Sequence, residues 1–178
     1  HALTQLVSLG RTLDIASGDG VMAELLAPRT TSIDCIDLSE KVVAAGRERS
    51  AKLSNVQFHL GDMHQLPFED RYFDTVLLMH ALTYSDRPQK VISEAGRVLA
   101  AGGRLVCTTL HQHDHSEQVK AYGHSQNGFT KRRLESYLRK AGLVVHYCEV
   151  TSLERRAPHF EVLTALAEAP HSPTQKKR

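Results

Sequence analysis

Three clusters of residues have the types and spacing to hold one elongated, partly cationic ligand. Asp14-Ile15-Ala16-Ser17-Gly18-Asp19-Gly20 gathers small residues behind a short apolar run. Small residues let a backbone approach a ligand at the carboxyl edge of a sheet. Gly18, Gly20 and Ala23 also fit the G-x-G-x-x-G/A pattern, which alone is a weak signal. The same turn without a ligand would join a strand to a helix. Asp37, with Leu38 beside it, closes a second apolar run about twenty residues beyond the turn. A carboxylate there can accept from both hydroxyls of a ribose, or stand in solvent as a strand-end charge. Gly61-Asp62-Met63 follows a third run. Asp62 can accept from an exocyclic adenine amine and Met63 can flank the ring, although Gly-Asp is also a common turn pair.

The sign of the charge narrows the ligand. Asp14 ends the first run, nearest any cationic ligand group. An acid there suits an amino acid ammonium and repels a pyrophosphate. That favours S-adenosylmethionine over a nicotinamide dinucleotide.

A fourth cluster is made of histidines. His111, His113, Asp114 and His115 follow a later apolar run, and His124 precedes Gly128-Phe129. Three readings stay open. A histidine of this loop, His111 or His113, serves as a general base, because its pKa lies near neutrality. Alternatively the loop is a nitrogen-and-carboxylate metal site. The third reading is a polar loop whose rings bond backbone or face solvent. Alternating histidines on an extended segment point to opposite sides, so the spacing does not specify a metal, and none is expected.

The elements that must position these residues alternate. RTLDIA (11–16), SIDCIDL (32–38), VQFHL (56–60), FDTVLLMHAL (73–82) and RLVCTTLH (104–111) read as strands. Helices fall between them: VMAELLA, a helix capped by Ser39 and running to about Lys52, and one opened by Pro88 and running to about Leu99. Gly102-Gly103 reads as a turn before the fifth strand. Alternation of this kind implies a parallel sheet with right-handed crossovers. Thr130 can cap a helix whose apolar face is Leu134, Tyr137, Leu138 and Ala141, with Gly142 ending it. LVVHYCEV (143–150) and FEVLTALA (160–167) then read as a terminal strand pair with no helix between them.

These motifs, with LPFEDRYFDTVLLMHAL and RVLAAGGRLV, resemble the class I S-adenosylmethionine-dependent methyltransferases over about residues 11–111. The resemblance implies an α/β, Rossmann-like, doubly wound fold, a seven-stranded and mostly parallel sheet ordered 3-2-1-4-5-7-6 with its last strand antiparallel. It implies that Asp14, Ala16, Gly18 and Gly20 line the methionine part of the cofactor. Asp37 and Leu38 would meet the ribose, and Asp62 and Met63 the adenine. His80 matches the position facing the methyl donor, and with His111 and His113 it completes the expected catalytic set; Tyr84 stands near it. Ala16 departs from the family, which usually has glycine there. The product would be S-adenosylhomocysteine and the acceptor a small molecule. Met79-His80-Ala81-Leu82 lacks the run typical of amino-methylating nucleic-acid enzymes.

The segments 111–143 and 148–167 carry a narrower resemblance, covering roughly residues 11–167, to the methyltransferase-like half of bacterial ArsR-type regulators. It implies an alternative, a non-catalytic domain sensing S-adenosylhomocysteine or S-adenosylmethionine. Nucleic acid would then be met only through a winged-helix domain outside this chain. A second copy of the chain, in a homodimer, is a further expected partner.

Composition bounds these readings. The 178 residues fit one domain, residues 11–168, with 1–10 a remnant of a lid or linker and 169–178 a disordered tail. The start at His1 suits a piece of a longer protein. No apolar run nears the roughly 18 residues of a membrane span, and HALTQLVSLG is not read as a signal peptide. Three isolated cysteines form no disulfide framework, so a bacterial, cytoplasmic setting is expected. Residues 1–110 carry 11 Lys and Arg against 13 Asp and Glu, residues 111–178 carry 11 against 7, and aromatics are 6%. That is too little base-stacking surface and too little positive charge for a dedicated nucleic-acid binder.

Overall fold

The computed structural model describes residues 8–155 and 157–171. Most of the expected 1–10 segment and the end of the expected tail, 172–178, lie outside the described residues. Seven strands form one sheet in the order β3-β2-β1-β4-β5-β7-β6. They are β1 (Arg11–Ile15), β2 (Ser32–Asp37), β3 (Val56–Leu60), β4 (Phe73–Met79), β5 (Leu99–Leu110), β6 (Val144–Leu153) and β7 (Glu161–Glu168). β1 to β5 pair in parallel, and β7 runs antiparallel to both β5 and β6. The strand order reverses between β1 and β4, which opens a crevice beyond their carboxyl ends.

The helices are α1 (Val21–Leu26), α2 (Glu40–Arg49), α3 (Pro88–Val98), α4 (Ser116–Lys120) and α5 (Lys131–Lys140). Two expected caps form. The Ser39 hydroxyl accepts from the Val42 N–H at 3.4 Å, and the Thr130 hydroxyl accepts from the Arg133 N–H at 3.1 Å. Leu134 and Leu138 of α5 are fully buried in the main core, beside Val91, Ile92 and Ala95 of α3. A second, smaller core under α1 and α2 centres on Phe58 with Ala23, Ile33, Cys35 and Val43. All three cysteines are free and buried.

The structure corrects several element boundaries. The fifth strand begins at Leu99, directly after α3, with Leu99 opposite Phe73. Pairing then slips and resumes with Arg104 opposite Thr75, so Gly102-Gly103 forms a bulge within the strand. A Cβ on Gly103 would lie 2.9 Å from the Ala100 carbonyl oxygen, so close backbone packing requires glycine there. The Ser39-capped helix stops at Arg49 rather than near Lys52. The fourth strand stops at Met79, because His80 takes φ +58° and a 3-10 turn follows at Leu82–Tyr84. α4 lies in the histidine-rich segment, which the sequence pattern leaves as loop. Ala169, 7% exposed, donates to the Gly103 carbonyl at 2.8 Å, so the described chain stays on the sheet to this point.

Candidate active site

A cleft of about 670 Å³ opens at the carboxyl ends of β1 to β4. Seven of the nine expected cofactor residues line it. Ala16 and Gly18 come from the turn after β1, and Asp37 and Leu38 from the end of β2. Asp62 and Met63 follow β3, and His80 follows β4. Asp14 and Gly20 do not line it.

The two exceptions have separate causes. Asp14 sits on β1 between β2 and β4 and is 2% exposed. Burial pushes its carboxyl up to about 7, and the charge of Asp37 adds to the effect. Gly20, at φ +81°, caps α1, and a Cβ there would strike the Phe58 ring at 2.4 Å. Its need for glycine therefore arises from the smaller core. Between them, Ala16 holds φ +55°. That left-handed conformation costs an L-residue roughly 1–2 kcal/mol. It accounts for the glycine that the family resemblance implies at this position.

Backbone donors orient the two carboxylates of the cleft. Asp37 accepts from the Gly18 N–H at 3.1 Å through one oxygen and from the Ser39 N–H at 3.0 Å through the other. One bond ties the cleft end of β2 to the glycine turn after β1. Asp62 accepts through Oδ1 from the His64 N–H at 2.8 Å, and the same oxygen meets His64 Nδ1 at 2.6 Å. These contacts hold the Asp62 carboxyl below its ordinary range, the backbone bond from His64 first. His64 Nε2 continues to the Ser85 hydroxyl at 2.7 Å, which also accepts from the Arg87 N–H at 3.0 Å. His64 and Ser85 were missed by the sequence reading. The Asp-x-His spacing of an Asx turn was the available signal for His64. Ser85 had none, because its contact crosses 21 residues.

His80 forms the far wall. Its N–H donates to the Thr108 carbonyl at 2.8 Å, and burial holds its imidazole below the ordinary histidine range while Glu154 pulls the other way. Beyond it lies a second cavity of about 370 Å³, which shares His80 and Tyr84 with the cleft. His124, Glu154 and Phe160 help to line that cavity. Tyr84 and His124 meet edge to face, with ring centroids 4.5 Å apart. The loop is tied to the end of β4 through the Thr83 carbonyl, which accepts from the Ser125 and Gln126 N–H groups.

The other histidines diverge. The His111 ring turns to Glu161 of β7, with Nδ1 2.7 Å from Oε2. His113 packs at a tilt against Phe160, with ring centroids 4.5 Å apart, and accepts at Nδ1 from the His115 N–H. Neither lines the cleft or the second cavity. Among the described residues, no three His, Cys, Asp or Glu side chains gather to hold a metal ion.

The donor set of the cleft fits an adenosyl cation. Asp37 and Asp62 present acceptors, Asp14 lies behind the turn, and Arg87 is the one Lys or Arg among the described residues of the lining. A Cβ built on Gly18 would meet nothing within 4 Å, so the space over the turn is open to a ligand backbone.

Comparison with known proteins decides the family. A methyltransferase-domain family model matches residues 13–107, more than half of the chain. The chain belongs to this family. It is an S-adenosylmethionine-dependent methyltransferase domain. The chain is 38% identical over 96 residues to a demethylmenaquinone methyltransferase of Clavibacter sepedonicus, a match covering 54% of this chain and 39% of that protein. The chain thus spans well under half the length of that relative. Among solved structures, the N-methyltransferase NodS of Bradyrhizobium japonicum, in complex with S-adenosylhomocysteine, superposes with a TM-score of 0.75 at 20% identity, covering 92% of this chain and 80% of that one. Geranyl diphosphate C-methyltransferase of Streptomyces coelicolor, also holding S-adenosylhomocysteine, gives 0.76 at 18%, covering 94% and 76%. At these identities the methyltransferase domain shares their fold, and the likeness extends no further. No helix among the described residues is long and apolar enough to cross a membrane.

Proposed function

We propose that this domain binds S-adenosylmethionine in the cleft and passes its methyl group, past His80, to a small molecule held in the second cavity. The observation that carries this reading is the shared wall. Both cavities are lined by His80 and Tyr84, so a donor in one and an acceptor in the other would meet there. Displacement at a sulfonium methyl asks the protein to align two reactants and exclude water.

In this reading Asp37 accepts from the ribose hydroxyls with Leu38 beside it, and Asp62 accepts from the adenine amine with Met63 against the ring. His64 positions Asp62 by occupying its Oδ1, which leaves Oδ2 for the ligand. Ala16 and Gly18 approach the methionine portion, and the carboxyl of Asp14 favours its cationic end. Gly20 shapes the turn from behind. His80 lies closest to the point of transfer.

Calorimetry with S-adenosylmethionine and S-adenosylhomocysteine tests the cofactor assignment. Transfer of a labelled methyl group to a panel of small acceptors, a demethylmenaquinone-type quinol among them, tests the reaction. Binding of both cofactors without transfer to any acceptor would instead favour the sensing domain.

A further inference from the structure

The second cavity has a chemistry distinct from that of the cleft. Three aromatic rings, Tyr84, Tyr122 and Phe160, stand around it with Leu110. Glu154, in the turn between β6 and β7, is the one Asp, Glu, Lys or Arg among the described residues of its lining. His80 and His124 complete its polar surface with Gln118. Burial holds both imidazoles below the ordinary histidine range, so they stand neutral near pH 7. His124 Nδ1 is buried and makes no hydrogen bond to the described residues. That atom is closed to a ligand in the cavity, so the ring nitrogen left to accept a proton is Nε2, in the tautomer protonated at Nδ1.

A carboxylate among aromatic faces, with no Lys or Arg among the described residues of the lining, suits an ammonium group. The carboxylate supplies charge and the rings supply their negative faces. An anionic acceptor would meet Glu154 at close range, with no cation among the described lining residues to offset it. The cavity volume of about 370 Å³ is that of a small-ligand pocket.

We propose that the acceptor is a small primary or secondary amine with an apolar body, held as its ammonium by Glu154 and deprotonated by His124. This substrate class rests on the methyl-transfer reading above. The ammonium gives one proton to His124 Nε2. The freed nitrogen lone pair attacks the methyl carbon, forming the N–C bond. The S–C bond breaks and its electron pair stays on sulfur. The product leaves as a methylammonium, the cofactor as its thioether, and His124 returns its proton to solvent.

The test measures binding to the full chain saturated with S-adenosylhomocysteine. The probes are benzylamine, phenethylamine and N-methylbenzylamine, against benzyl alcohol and phenylacetate of similar shape. The amines are expected to bind at least about tenfold tighter than the alcohol, a difference of about 1.4 kcal/mol. Glu154→Gln is expected to erase that preference, and Glu154→Asp to restore part of it, with cofactor affinity unchanged in both. Equal binding of amine and alcohol, tighter binding of phenylacetate, or an amine preference surviving Glu154→Gln would overturn the proposal. A parallel assay with labelled S-adenosylmethionine separates the two readings. Amine binding without methylation would sink methyl transfer and leave the recognition site standing. Methylation of the alcohol or a quinol alone would sink the amine and leave methyl transfer standing.

Discussion

Around the cleft, each carboxylate is held by backbone N–H groups of turns that sit at strand ends. Asp37 takes Gly18 and Ser39, and Asp62 takes His64. Across His80 the second cavity is built differently. Tyr84 packs on His124, His113 packs on Phe160, and Glu154 arrives from a turn more than 70 positions along the chain. Backbone-held carboxylates keep one geometry whatever surrounds them, because the peptide planes that aim at them belong to turns anchored at strand ends. Rings packed on rings keep theirs only while the neighbouring loops stay in place. A constant cofactor requires the first arrangement. A varied acceptor tolerates the second.

That contrast can be broken at Asp14 with the largest effect. Its folded pKa of about 7 lies above the ordinary carboxylate value. Between those two values the folded chain holds a proton that the unfolded chain has lost, so stability falls as pH rises from about 4 to about 7. Asp14→Asn is expected to remove that slope and to stabilise the cofactor-free chain at pH 8 by about 2–4 kcal/mol. Urea denaturation at pH 4, 6 and 8 reads it, and parallel curves for the two proteins would contradict the burial argument. The same variant should bind S-adenosylmethionine more weakly.

Next in size is Asp37→Ala. It should cost about 2 kcal/mol in cofactor affinity, since two hydrogen bonds to ribose are lost and the Gly18 N–H is freed. Calorimetry showing unchanged affinity would remove the ribose assignment. His64→Ala should cost about 1 kcal/mol, because Asp62 loses the side-chain contact that orients it. An equal loss in Asp62→Ala and in the double variant would mark the two residues as one unit, whereas additive losses would separate them. The smallest effect is expected at His111. Its pairing with Glu161 is partly exposed, so His111→Gln should change stability by under about 1 kcal/mol and leave cofactor affinity as it was.

Much of the cleft was legible in the residues. Asp37 and Asp62 close apolar runs of five or six residues, and such runs end where the sheet ends. Gly18 could be read because a glycine at a strand–helix turn serves backbone geometry. Gly20 was harder. Its pattern is the same, yet the atom it makes room for is Phe58 Cζ, on a strand that begins 36 positions later. The histidine segment was visible as a cluster, but the direction of each ring was not. Alternation told that its rings diverge, and pairing with β7 and Phe160 decided where each went. His124 reached the second cavity because its loop is pinned to the Thr83 carbonyl, a contact without a local signature.

The order of strands and helices, the capped starts of α2 and α5 and the acidic character of the cleft edge follow from the sequence by itself. They depend on periodicity, turn chemistry and charge within a few residues of each position. Tertiary structure alone decided that Asp14 lies buried behind the cleft, that His64 aligns Asp62, and that Glu154 and His124 face one cavity across from His80. Those facts depend on which distant segments pack together, and burial, which sets both the charge state and the direction of a side chain, is a property of that packing.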